Sequence, residues 1–208
     1  MAKVGLREIL TAEDRAAVMG LRRGPGQDQY LDSMEEIFAE ADREQRAMPH
    51  AWAVYDAGAG ALVGFAMISD NVPQPMDDDL VGPYFLWKLL IDHRFQRCGY
   101  GAATLDAVVD YLRTRPGADV LYTSCADGIG SPRGFYLGYG FADTGRVMWG
   151  ENVLALDLVA RQQAPASPGF DPDEACGGTE QGELAVVDPA EAVLAPRQRG
   201  FHGQHEPS

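Results

Sequence analysis

The sequence predicts an α/β domain in which a mixed central β-sheet of about six to seven strands is flanked by helices. Three observations carry this prediction. The apolar run Tyr84–Ile91 has the length of a buried strand, and after a few polar residues the chain passes Gly99 and Gly101 into a helical pattern. There Ala102, Leu105, Val108, Val109 and Leu112 recur at spacings of three and four, one apolar face, while Asp106, Asp110 and Arg113 lie off it. A second buried strand, Val120–Cys125, follows the break at Arg115-Pro116-Gly117, so the two strands are expected to run parallel through a right-handed crossover.

The remaining elements build outward from that unit. Val4–Leu10 reads as a first strand. Thr11, with an acid three residues on at Asp14, is the signature of a helix start, and Gly24-Pro25-Gly26 breaks that helix after Arg22. A second helix is expected from Ser33 to Arg46, with Met34, Ile37 and Phe38 on its apolar face. Ala51–Tyr55 and Leu62–Ile68 form a hairpin about the turn Asp56–Gly60, and Asp70–Asp79 reads as a loop. Ser131-Pro132 reads as N-cap and first residue of a short helix, Pro132–Leu137, stopped by Gly138. Two closing strands, Ala142–Met148 and Val153–Leu158, are joined by the turn Trp149–Asn152.

Composition shifts near Gln162. The last stretch holds six of the thirteen prolines and little periodicity, which divides the chain into a domain over residues 1–160 and an acidic tail over 161–208, flexible or loosely docked. A short helix near Pro189–Leu194 is compatible with the tail. With 208 residues and 46% apolar content, one domain can bury a sizeable core. The formal charge of −14 argues against nonspecific binding to nucleic acid or anionic membrane and favours a cationic substrate. Three cysteines without close spacing suggest neither a disulfide framework nor zinc, and fit a reducing cytoplasm. No signal peptide or run of transmembrane length is read. Lys3 and Lys88 are the two lysines among seventeen basic residues, a bias that suggests a GC-rich bacterial gene. A homodimer is left open.

The glycines at the start of the central helix point to an anion. The first amides of a helix have no partner within it and lie at the positive end of its dipole. Glycines there let a phosphate reach the backbone, and Gln96 and Arg97 offer side-chain donors. The local features fit equally a βα turn whose glycines ease a tight corner. The spacing is neither the dinucleotide G-x-G-x-x-G nor a P-loop.

Gln96-x-x-Gly99-x-Gly101 resembles the coenzyme A pyrophosphate loop of the GNAT family of N-acetyltransferases. Phe135-Tyr136-Leu137-Gly138-Tyr139-Gly140-Phe141 resembles that family's Phe-Tyr-x-x-x-Gly-Phe element. The resemblance implies the GNAT fold, with central parallel strands that splay, and acetyl-CoA as cosubstrate without a metal. It implies that backbone groups of Leu90 and Ile91 line the pantetheine arm, that Asp92 belongs to the same cofactor site, and that Gln96, Arg97, Cys98, Gly99, Tyr100, Gly101 and Ala102 hold the pyrophosphate. Tyr136 is implied as the acid that protonates the departing thiolate. The family's Asn ahead of this helix is missing from Asp127–Pro132, and Ser131 is the expected substitute. The Cys98–His93 pair is rejected as a nucleophile, and His202 and His205 lack a third ligand.

The acceptor implied is a primary amine of a small cationic, polyamine-like molecule. Tyr84–Asp92 and the Phe141-x-x-Thr144-Gly145…Gly150-Glu151 pattern resemble the polyamine and diamine acetyltransferase branch. The alternatives are a protein N-terminus or an antibiotic amine as acceptor, and a module that binds acetyl-CoA without turnover. Glu35, Glu36 and Asp70 are the expected acceptor contacts. With Asp92 they are also the candidate bases, since an alkylamine near the lysine value of about 10.4 must lose a proton before attack.

Overall fold

A computed structural model of the protein describes residues 2–73 and 81–163. A seven-stranded sheet runs in the order β1-β2-β3-β4-β5-β7-β6. The strands are β1 (Val4–Glu8), β2 (Pro49–Asp56), β3 (Leu62–Asp70), β4 (Tyr84–Ile91), β5 (Val120–Cys125), β6 (Ala142–Met148) and β7 (Glu151–Asp157). Every neighbouring pair is antiparallel except β4 and β5. The mixed sheet and its flanking helices agree with the sequence reading.

Helices cover both faces. On one side lie α1 (Ala12–Val18) and α2 (Met34–Arg43), and each starts on a capping box. Thr11 Oγ1 accepts from Asp14 N while Asp14 Oδ2 accepts from Thr11 N; Ser33 and Glu36 repeat the exchange. Ile37, Phe38 and Ala41 turn inward, and the rings of Phe38 and Phe65 meet edge-on at 5.7 Å. On the other side α3 (Tyr100–Leu112) buries Leu105, Val108 and Leu112 completely against Ile68, Tyr84 and Leu86. Each such side chain contributes about 1.5–3 kcal/mol of burial free energy.

Two irregularities of β4 shape the site. Between β3 and β4 the register passes from Met67↔Lys88 to Ile68↔Leu86, so Trp87 is the extra residue of a β-bulge. The slip turns Trp87 and Lys88 to the same face, the α2 side, where Trp87 joins the cluster of Phe38 and Phe65. The parallel ladder of β4 on β5 consists of Phe85↔Tyr122 alone. Beyond it the strands part, as the resemblance implied. Thr123 Oγ1 donates to Leu86 O at 3.1 Å where they separate.

Several boundaries differ from the sequence reading. β1 stops at Glu8, and Leu10 is 79% exposed. α2 ends at Arg43 and a 3₁₀ turn, Gln45–Ala47, follows. β3 runs on to Asp70, so Asp70 is a strand residue. The short helix α4 spans Arg133–Tyr139 with Pro132 as its N-cap, and it ends at Gly140, whose φ is 121°. β7 begins at Glu151 rather than Val153, and Leu158 opens helix α5 (Leu158–Gln163). Leu158 stays buried because its side chain reaches the α3-side core, and its N–H is bonded to Asp119 O. Asp77–Asp79 and the tail from residue 164, with the helix near Pro189 and both histidines, lie outside the described residues.

Candidate active site

The backbone of the loop before α3 is left-handed at two positions. Arg97 has φ 64° and Gly99 φ 82°, a left-handed conformation that is free for the glycine and uncommon for the arginine. The N-cap of α3 is Gly99, which has no side chain to cap the helix. The first-turn amides of a thirteen-residue helix therefore face the loop without a side-chain cap, the arrangement that suits a phosphate. Arg97 is exposed and Cys98 half-exposed. Gly101 sits against α4, where a Cβ would lie 3.1 Å from the Phe135 ring.

Two residues expected to touch the cosubstrate tie the loop to the rest of the chain. Gln96 Nε2 donates to Ile91 O and to Gln27 Oε1, and Gln27 Oε1 also accepts from Gly24 N. Asp92 is fully buried and accepts from Arg22 N, Arg94 N, Arg94 Nε and Arg94 Nη2. The bonds from the Arg94 side chain hold its carboxyl down at about 2 against the cost of burial, so Asp92 is an ionised strut and not a base. His93 N donates to Arg22 O, which adds to the same junction.

The segment from Leu21 to Tyr30 thus bridges the gap between the parted strands. At the β4 end it is held by Asp92, His93 and Gln96. At the β5 end Tyr30 Oη and Gln29 Nε2 both donate to Ile129 O, at 2.8 and 3.3 Å. Gly128, with φ 139°, accommodates the approach, since a Cβ there would stand 2.5 Å from Tyr30 Oη. Ser131 does not offer itself to a ligand. Its hydroxyl donates to Ala126 O and accepts from Arg133 N inside the turn.

Tyr136 lies at the parting of the strands, on the α3 side. It is buried between the rings of Phe135 and Phe141, and its hydroxyl is hydrogen-bonded to the Thr123 side chain. Burial raises its pKa far above the ordinary phenol value, so it keeps its proton throughout the working range. The Cys125 thiol, pushed up by burial to about 11, is neutral as well.

The α2 side of the sheet is less acidic in effect than in sequence. A cavity of about 590 Å³ opens there, lined among others by Leu21, Arg22, Asp28, Asp32, Glu35 and Leu90. Lys88, only 2% exposed, extends Nζ to Asp32 Oδ2 at 3.2 Å and Glu40 Oε2 at 3.0 Å. Glu36 supplies the α2 capping box and Asp42 pairs with Arg15. Of the expected contacts, Glu35 alone lines the cavity. Asp70 does not: it is bonded to Tyr111 and Arg115 of the α3 segment and to His50.

One carboxyl missed by sequence reading faces the same side. Glu151 is 3% exposed; its Oε2 accepts from Ser124 Oγ at 2.5 Å, and its Oε1 has no hydrogen-bond partner among the described residues. Burial raises its pKa, against the Ser124 bond and the charge of Lys88. The signal was the alternation of β7: Glu151 lies two residues before Val153 on one face, which places it inside the strand rather than in the turn. Among the described residues no group of three or more His, Cys, Asp or Glu could hold a metal, and no helix is long and apolar enough to cross a membrane.

Comparison with known proteins agrees with this fold. The chain is 27% identical over 152 residues to a spermine/spermidine N(1)-acetyltransferase of Bacillus subtilis, covering 73% of this chain and 97% of that protein. Its fold is similar to a chimera of the spermidine N-acetyltransferase SpeG from Vibrio cholerae and hSSAT, at TM-score 0.53 and 15% identity over 78% of this chain and 99% of that one. It is also similar to AtaTR bound with AcCoA, at TM-score 0.52 and 15% identity over 77% and 97%. The model of the Acetyltransferase (GNAT) family matches residues 10–141. The chain belongs to that family and is an N-acetyltransferase.

Proposed function

We propose that the chain transfers the acetyl group of acetyl-CoA to a primary amine of a small cationic, polyamine-like acceptor by direct attack. The observation that carries this reading is the parting of β4 and β5 after Phe85–Tyr122, with the Tyr136 hydroxyl held behind Thr123 at the gap. The edge of β4 near Leu90, past its last pair with β5, suits an extended arm that pairs as a strand would. The uncapped start of α3 and the exposed Arg97 suit a pyrophosphate. When bound, acetyl-CoA supplies the acetyl thioester.

Within that frame the chain's own groups divide the work. A backbone N–H at the gap polarises the acetyl carbonyl. Tyr136 delivers its proton to the sulfur as the thiol departs. Asp28 and Glu35, exposed beside the cavity, hold the distal charge of the acceptor, because Asp32 and Glu40 already hold Lys88. Every group in this reading lies within residues 1–160. The spermine/spermidine activity of the Bacillus relative supports the choice of acceptor.

The test is amine-dependent release of thiol from acetyl-CoA, with spermidine, a peptide N-terminus, an aminoglycoside and no amine run in parallel. The expected result is release that depends on spermidine and yields one mono-N-acetylated product. Preference for the peptide or the aminoglycoside would reassign the acceptor. Silence with every amine, while acetyl-CoA binds, would make the chain a binding module.

A further inference from the structure

On β5 the side chains alternate across the sheet exactly where β4 leaves it. Thr123 turns to the α3 side and meets Tyr136, while Ser124 turns to the α2 side and meets Glu151. Ser124 is paired with Val153, which belongs to the acceptor-side core, so Ser124 and Glu151 share that face. Glu151 carries a second oxygen that is buried and unpartnered.

We propose that Glu151, acting through the Ser124 hydroxyl, takes the proton that the acceptor ammonium must lose before attack. This rests on the acetyl-transfer reading above. Ser124 Oγ takes a proton from the ammonium as it passes its own to Glu151 Oε2. The freed nitrogen lone pair forms the N–C bond to the acetyl carbon, and the C–S pair leaves on sulfur, which takes the Tyr136 proton. The second N–H proton passes to solvent, Glu151 releases its proton there, and Tyr136 is reprotonated from it. The sum is ammonium plus thioester giving amide, thiol and one proton.

The surroundings favour this assignment over the other carboxyls. The charged groups that act on Glu151 are Lys88 of β4 and Asp32 before α2, while Glu151 in turn raises Cys125 and Tyr136 on the α3 side. Lys88 is held by Asp32 and Glu40 and makes no ion pair with Glu151, so the carboxyl meets a neutral hydroxyl instead of a cation. Cys125 and Tyr136 keep their protons and do not compete for this one. Burial raises the Glu151 carboxyl, with Asp32 adding to it, which brings its proton affinity nearer to that of a working base. Asp92, Asp70 and Glu36 are each committed elsewhere.

The experiment is the pH dependence of kcat/KM for the best amine, at saturating acetyl-CoA, in wild type, Glu151→Gln, Ser124→Ala and Ser124→Thr. The wild type should show an acidic limb from Glu151. Glu151→Gln should lose about 100-fold and that limb with it, its residual rate following only free amine. Ser124→Ala should lose at least about tenfold, and Ser124→Thr, which keeps the hydroxyl, should recover most of it. Acetyl-CoA affinity and the melting temperature of Glu151→Gln should match or exceed wild type. Glu151→Gln within about threefold of wild type, or an unchanged limb, would overturn the relay and leave the acetyl-transfer reading standing. A wild type silent with every amine would remove both.

Discussion

Asp70 and Glu151 are both carboxyls buried at a strand end, and their surroundings treat them in opposite ways. Burial raises the pKa of each. At Asp70 hydrogen bonds from Arg115 and Tyr111 overcome that and hold the group below the usual carboxylate range. At Glu151 the directly bonded group is Ser124, and the net shift is upward. A buried carboxyl becomes an ionised strut when a cation is bonded to it, and a proton acceptor when only a neutral donor is. Asp70 belongs with Asp92 in the first class.

The largest expected effect compares two tyrosines that repeat the contrast. Tyr111, bonded to Asp70 and Arg115, and Tyr136, at the gap, both hold their protons tightly. Tyr136→Phe should keep acetyl-CoA affinity and lose about 100- to 10,000-fold in kcat, whereas Tyr111→Phe should leave kcat within about threefold. Equal losses would mean that packing, and not proton donation, explains Tyr136.

Next comes Lys88→Met, which sharpens the contrast by removing the cation that lowers Glu151. It leaves Asp32 and Glu40 without their partner, so stability should fall by about 3–5 kcal/mol in denaturant titration. The acidic limb of kcat/KM should move to higher pH, because the Lys88 charge no longer favours ionised Glu151. A limb that stays in place would uncouple Lys88 from the base. The smallest effect is at the loop: Arg97→Glu should weaken acetyl-CoA by about tenfold or about 1.4 kcal/mol, read by calorimetry, with both carboxyls unaffected. Undiminished affinity would move the pyrophosphate away from this loop.

The sequence made the two strands at the gap legible and the strand ends not, for a physical reason. β4 and β5 were bounded correctly because a strand buried on both faces is a continuous apolar run between polar breaks. Both capping boxes were readable in outline as fixed local spacings, though the one at Ser33 was taken only as a helix start. The bulge at Trp87 was not readable, because a one-residue slip is set by pairing with β3; it alone brings Lys88 inside to occupy Asp32 and Glu40. Glu151 was read as a turn residue because its strand was started two residues late. Asp70 was read as a loop residue because β3 was stopped at Ile68. Strand ends are where local pattern is weakest, and both decisive carboxyls stand on one.

The most direct test of this division sets Glu151→Gln beside Asp70→Asn, with kcat/KM and melting temperature followed against pH in the same buffers. The signs follow from the shifts. Asp70, held low when folded, stabilises above the usual carboxylate range, and that stability is lost as pH falls through its folded value. Glu151, held high, contributes stability below the usual range that is lost as pH rises through its folded value. The predicted result is a crossing. Asp70→Asn keeps its activity but melts lower, by an amount equivalent to about 2 kcal/mol at neutral pH, and the penalty shrinks in acid. Glu151→Gln loses its activity and melts no lower than wild type at neutral pH. Parallel behaviour of the two variants, in either quantity, would contradict the account.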